Sequence, residues 1–137
     1  MSTTLHRVQS ALLMTATIVL LLIGTLLCFI GFGSWEGRTW PEIRTRDPVG
    51  ARARDADLWA FAPPGGESYA DVARRVQSFI DTLEAPALIL SHGGVGRTLM
   101  TLFGAPRETT LEAPIWQGRV LRLERGKIQW LPQTGHA

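Results

Sequence analysis

Ala87-Leu88-Ile89-Leu90-Ser91-His92-Gly93-Gly94-Val95-Gly96-Arg97 decides the fold class. Residues 87–90 form a short, continuously apolar run of the kind buried inside a mostly parallel sheet. Two glycines follow at once, and they let the backbone turn sharply and approach a ligand closely. A helical pattern then runs from Val95 to Phe103. Strand, polar turn and helix in immediate succession read as an α/β domain, in which ligands bind beyond the carboxyl ends of the strands. His92 stands at that place and is the leading candidate for chemistry. Gly93 and Gly94 offer backbone amides suited to an anion, a phosphate above all. The bland alternative is a structural histidine. Gly93-Gly94-Val95-Gly96-Arg97-Thr98 lacks the spacing and the lysine of a Walker phosphate loop.

Working outward, Pro63-Pro64-Gly65-Gly66 is a strong breaker, and a helix is predicted from Tyr69 to Leu83. Ser68 is its expected N-cap, with Asp71 three residues on completing a capping-box pattern. Val72, Val76, Phe79, Ile80 and Leu83 recur at steps of three and four, which buries one face. Before the breaker, Gly33 to Gly66 mixes Gly, Pro, charges and isolated tryptophans with no lasting period, so irregular loops with short helical turns are expected. After it, residues 119–124 and 127–131 alternate around Arg125-Gly126, the pattern of a terminal β-hairpin. The five tryptophans are unevenly spaced and read mainly as packing residues.

The whole chain has 137 residues, 45% of them hydrophobic and 19% charged, which excludes general disorder. Fourteen basic residues against 12 acidic leave a net charge of +2, too slight to argue for nucleic acid. One cysteine, Cys28, removes any internal disulfide, and three scattered histidines do not make a metal cluster. The N-terminal part differs in kind from the rest. From Ala11 to Phe32 there is no charged side chain, and roughly 20 apolar residues suffice to cross a bilayer as a helix. Three readings compete. A transmembrane anchor leads; a cleaved signal peptide fits poorly because the run exceeds the usual apolar region of about 7 to 15 residues; a buried core helix is the third. Were it a span, Arg38, Arg44, Arg46, Arg52 and Arg54 after it outnumber Arg7 before it, which keeps the C-terminal domain on the cytoplasmic side. Without a span, the chain is cytoplasmic. The expected division is an apolar N-terminal helix over 1–31 and a domain over 32–137.

Three motifs in order, Phe32-Gly-Ser-Trp-Glu-Gly-Arg-Thr-Trp, Pro64-Gly-Gly-Glu-Ser and Leu88-Ile-Leu-Ser-His-Gly-Gly-Val-Gly-Arg, resemble the histidine phosphatase superfamily, the phosphoglycerate mutase-like proteins. The resemblance is specific over residues 32 to about 103. It implies a partial three-layer α/β sheet domain and phosphoryl chemistry on phosphomonoesters with no cofactor and no metal. In that family one histidine of an Arg-His-Gly motif takes the phosphoryl group covalently. A second histidine and two arginines hold its oxygens, and a carboxylic acid protonates the leaving group. His92 matches the second histidine, Gly93 supplies adjacent backbone, and Arg7, in Thr4-Leu5-His6-Arg7-Val8, matches a phosphate-binding arginine.

The departures bear on activity. No Arg-His-Gly occurs in these 137 residues, and the position of the general acid holds Phe29. The resemblance therefore implies a phosphatase-like protein whose catalytic set is incomplete, with phosphorylated small molecules or phosphoproteins as ligands. A membrane-anchored binding module is the rival. Because good resemblance begins abruptly at Gly31-Phe32, a truncated or frameshifted N-terminal part is a further expectation. An exposed strand edge would follow, promoting a homodimer. Glu67 reads first as a helix-start residue and second as functional, Glu36 and Arg38 as surface charges near a cleft, and Arg97 as a weak candidate for substrate contact.

Overall fold

The computed structural model describes residues 29–132. The chain enters through Phe29–Phe32, which are not helical, and makes a 3-10 turn at Gly33–Trp35. Two short helices follow where irregular loops with short helical turns were expected: α1, Trp40–Arg46, and α2, Pro48–Ala56. Each begins with a proline in its first turn, where a missing N–H costs nothing. Both also have a side chain at the start. Glu42 accepts from the Thr39 amide at 2.9 Å, and Asp47 accepts from the Gly50 amide at 2.8 Å. Pro41 and Pro48 are thus helix-start residues.

The third helix, α3, spans Tyr69–Ile80, three residues shorter than its apolar period. Ser68 caps it as expected, its hydroxyl accepting from the Asp71 amide at 3.0 Å while the Asp71 carboxylate accepts from the Ser68 amide at 2.9 Å. Beyond Ile80 the chain turns, and Leu83 is left on the surface. Helix α4, Gly93–Leu102, packs along α3; Val72, Val76, Val95 and Leu99 make the buried contact, joined by Ile30, Phe79 and Leu123. Burying each valine contributes roughly 1.5–3 kcal/mol relative to leaving it exposed. A second cluster, Trp35, Ile43, Ala51 and Phe61, joins the 3-10 turn to α1 and α2. Trp35 Nε1 donates to Asp47 at 3.1 Å, so the indole anchors the same carboxylate that starts α2.

A short helix, α5, Arg107–Glu112, was not anticipated. Thr110 is buried beneath it and shares a 2.7 Å hydroxyl contact with Thr101 of α4. The expected hairpin is present as β1, Leu121–Glu124, and β2, Lys127–Trp130, antiparallel with Leu121 opposite Trp130 and Leu123 opposite Ile128. Those four side chains are half-buried, and the Gly126 amide ties the turn to the Phe103 carbonyl at 3.1 Å.

The expectation of a buried strand at 87–90 requires correction. Among the described residues the sole sheet is the two-stranded hairpin, and Ala87–Leu90 does not belong to it. Leu88 and Leu90 are exposed. A strand of this composition is buried by neighbours on its edges and helices on its faces, and the described residues bring no strand alongside. The fold is mixed helix and sheet, as an α/β reading requires. The candidate span at 11–32 lies mostly outside the described residues; among those described, no helix is long and apolar enough to cross a membrane.

Candidate active site

His92 is extended (φ −105°, ψ 170°) and stands immediately before α4. Its carbonyl accepts from the Gly96 amide at 2.9 Å, closing the first turn, while its imidazole is exposed. The two glycines after it have different reasons for being glycine. A Cβ on Gly94 would lie 2.5 Å from Ile30 Cδ1, so the entering chain packs directly on the helix start. A Cβ on Gly93 would lie 3.2 Å from Arg97 Nη1, which places that guanidinium back over the first turn of its own helix.

The result is a cleft of about 690 Å³ with His92 and Arg97 on the α4 side, Phe29 to Phe32 along the floor, and Glu36, Trp40, Arg54 and Tyr69 opposite. The Arg54 guanidinium lies 4.2 Å from the centre of the Trp40 ring and pairs with Asp55 at 3.3 Å. Near His92, Ser91 Oγ and Arg97 Nε are buried with no hydrogen-bond partner among the described residues. Buried polar atoms ordinarily find partners, and of these two residues Arg97 lines the cleft. The Phe29 ring lies 4.7 Å from the His92 ring at an interplanar angle of 30°.

Phe29 is held there by its backbone. Its carbonyl accepts from Arg75 Nη2 at 2.9 Å, and the same guanidinium binds both carboxylate oxygens of Glu67, at 3.1 and 3.0 Å. Glu67 also accepts from the Gly31 amide at 3.1 Å, and its own amide donates to the Gly31 carbonyl at 2.8 Å. Glu67 therefore positions the cleft floor.

His92, Arg97 and Glu36 line the cleft, Gly93 lies beside Arg97 without lining it, and Arg7 lies outside the described residues. Sequence reasoning missed Arg54 and Arg75. Arg54 sits in a stretch with no lasting period, and Arg75 lies on the helix off the apolar face of Val72, Val76 and Phe79. Among the described residues no group of three or more His, Cys, Asp or Glu side chains could hold a metal ion.

Comparison with known proteins adds the lineage. The chain is 34% identical over 95 residues to fructose-2,6-bisphosphatase of Saccharomyces cerevisiae, covering 67% of this chain and 21% of that protein. It is 35% identical over 77 residues to a 6-phosphofructo-2-kinase/fructose-2,6-bisphosphatase of Arabidopsis thaliana, covering 54% of this chain and 10% of that one. The chain thus spans about a fifth or less of these relatives. In fold it resembles the alpha-ribazole phosphatase of Shigella flexneri, with a TM-score of 0.58 at 24% identity over 74% of this chain and 55% of that one. A model of the histidine phosphatase superfamily (branch 1) matches residues 23–134. With His92 ahead of its glycine pair at the mouth of the cleft, this chain belongs to that superfamily.

Proposed function

We propose that this chain binds phosphomonoesters at the His92 cleft and that its covalent phosphoryl-transfer route is incomplete. The observation that carries the reading is the grouping of His92, Arg97 and Arg54 around one cleft at the start of α4. Cationic donors and helix-start amides suit the oxygens of a phosphoryl group. Two of the relatives named above carry fructose-2,6-bisphosphatase in their names, which supports a small phosphorylated metabolite over a phosphoprotein.

The incompleteness rests on two positions. These 137 residues contain no Arg-His-Gly, and the position expected to hold the proton donor is Phe29, whose ring lies against His92. A phenyl ring neither attacks phosphorus nor donates a proton. Where catalytic groups act as a unit, losing one costs nearly as much as losing all. The apolar run before the domain has two placements under this reading, a membrane anchor with the domain on the cytoplasmic side or a buried core helix.

Hydrolysis of p-nitrophenyl phosphate and binding of inorganic phosphate, each measured beside His92→Ala, test the reading. Expected are no turnover above the variant and phosphate binding weakened about tenfold, the effect of one lost charge-assisted contact. Turnover that disappears in His92→Ala would overturn the incompleteness, and equal phosphate affinity would overturn the site.

A further inference from the structure

Two aromatic side chains of the cleft are braced from outside it. Trp40, the first residue of α1, has the Arg54 guanidinium 4.2 Å from its ring centre and meets Trp35 edge-on at 6.1 Å and 83°. Trp35 is buried and in turn stacks on Phe61 at 5.1 Å. Tyr69, the first residue of α3, stacks on Trp59 at 6.2 Å and 21°, and the Arg107 guanidinium lies 4.6 Å from the Trp59 ring centre. Each ring thus has its orientation set by a second aromatic ring, and each group includes a guanidinium.

Core packing does not account for this bracing. Trp40 and Phe32 are each 43% exposed, and both line the same cleft as Tyr69. Single exposed aromatics need no explanation, but three lining one cleft with His92 and Arg97 do. Small-molecule sites are lined largely by aromatic and apolar side chains, with a few polar groups that fix orientation. Rings already held in place lose little freedom when a ligand binds. A fixed aromatic face favours a second π system lying offset or edge-on against it. A saturated ring gains only the buried area.

From these contacts we infer that the cleft selects phosphomonoesters whose alcohol half carries a planar, unsaturated ring, seated against Trp40 and Tyr69 while the phosphoryl group lies at His92 and Arg97. The inference rests on the phosphate reading of the cleft and adds the class of substrate. It separates ligands of equal charge by the character of the group that carries the phosphate.

Binding of inorganic phosphate, phenyl phosphate and cyclohexyl phosphate by the full chain tests it, measured by titration calorimetry near pH 8, where all three are dianions. The two rings are of similar size and the saturated one is the more apolar, so a preference for phenyl reports the aromatic face. Phenyl phosphate should bind about five times more tightly than cyclohexyl phosphate, the effect of one aromatic pair. In Trp40→Leu that ratio should fall to about one; should this variant fail to fold, Tyr69→Leu is read in the same way. Equal binding of the two esters, with inorganic phosphate still weakened by His92→Ala, would overturn the ring subsite and leave the phosphate reading standing. A phenyl preference untouched by either ring substitution would overturn the placement of the ring. A preference that Trp40→Leu removes, beside a phosphate affinity that His92→Ala leaves intact, would support the ring subsite and overturn the phosphate reading. Binding of none of the three would overturn both.

Discussion

Replacing Glu67 with alanine removes three charge-assisted hydrogen bonds at once: two from Arg75, at 3.1 and 3.0 Å, and one from the Gly31 amide at 3.1 Å. Hydrogen bonds to charged groups contribute roughly 1.5–3 kcal/mol each. The Glu67 and Arg75 side chains are 33% and 30% exposed, however, so solvent screens part of that energy, and bonds to one carboxylate do not add. A loss of about 2 kcal/mol is expected. With a urea m-value of about 2 kcal/mol/M, the unfolding midpoint should fall by roughly 1 M. Tryptophan fluorescence reads the transition, since Trp35 lies in the buried cluster next to the cleft floor. Arg75→Ala should cost a similar amount, and the double variant little more than either alone, because both substitutions break the same pairing. A midpoint unmoved in Glu67→Ala, or costs that simply add, would refute the role assigned to this carboxylate.

Three further outcomes are expected. Ser68→Ala should cost about 1 kcal/mol, the usual value of a lost N-cap. Hydrogen bonds from the Ser68 side chain and backbone, then from Arg74, hold the Asp71 carboxyl at about 2 instead of 3.8. A carboxyl lowered on folding stabilises the native state above its unfolded value and loses that contribution as pH falls toward the folded one. The Ser68→Ala chain should therefore show an upward-shifted Asp71 titration by carbon-detected NMR and a weaker pH dependence of stability between about 4 and 2; an unshifted Asp71 would contradict this. Gly33→Ala should be among the most damaging single changes, about 3 kcal/mol or more, because Gly33 has φ +52° and a Cβ there would lie 2.4 Å from both Gly66 N and Pro64 O; a thermal midpoint equal to wild type would rule that out. Trp35→Phe keeps the aromatic packing but strips Asp47 of the indole donor at 3.1 Å, so a drop of several degrees in Tm is expected, with little further drop when Asp47→Asn is added.

The parts legible in the sequence were those whose signal is local. Ser68 and Asp71 announced the start of α3, and the alternation around Arg125-Gly126 announced the hairpin, since turn and cap chemistry is decided within a few residues. The end of α3 was misjudged because Leu83 fits the apolar period although the chain has already turned away from the core by Ile80. Helices α1 and α2 were legible only as short helical turns because no apolar period persists through Gly33 to Gly66. Ala87–Leu90 illustrates the opposite limit. Its composition specifies burial, yet burial is supplied by other segments, and Leu88 and Leu90 are exposed. At the cleft, His92 and its glycines were visible as a motif, whereas Arg54 and Arg75 act through partners 14 and 8 positions away in sequence, Trp40 and Glu67, a spacing with no periodic trace.

Two of the motif loops, 31–34 and 63–67, are joined by backbone bonds from Ser34 N to Pro64 O at 2.9 Å and from Glu67 N to Gly31 O at 2.8 Å. Gly33 and Gly66 are crowded against the opposite loop in turn, a Cβ on Gly66 falling 2.6 Å from Gly31 O. Neither loop is therefore portable by itself. A chimera that grafts one of them from a relative must carry the other, and recombination with a breakpoint anywhere between residues 34 and 63 would exchange half of a matched pair.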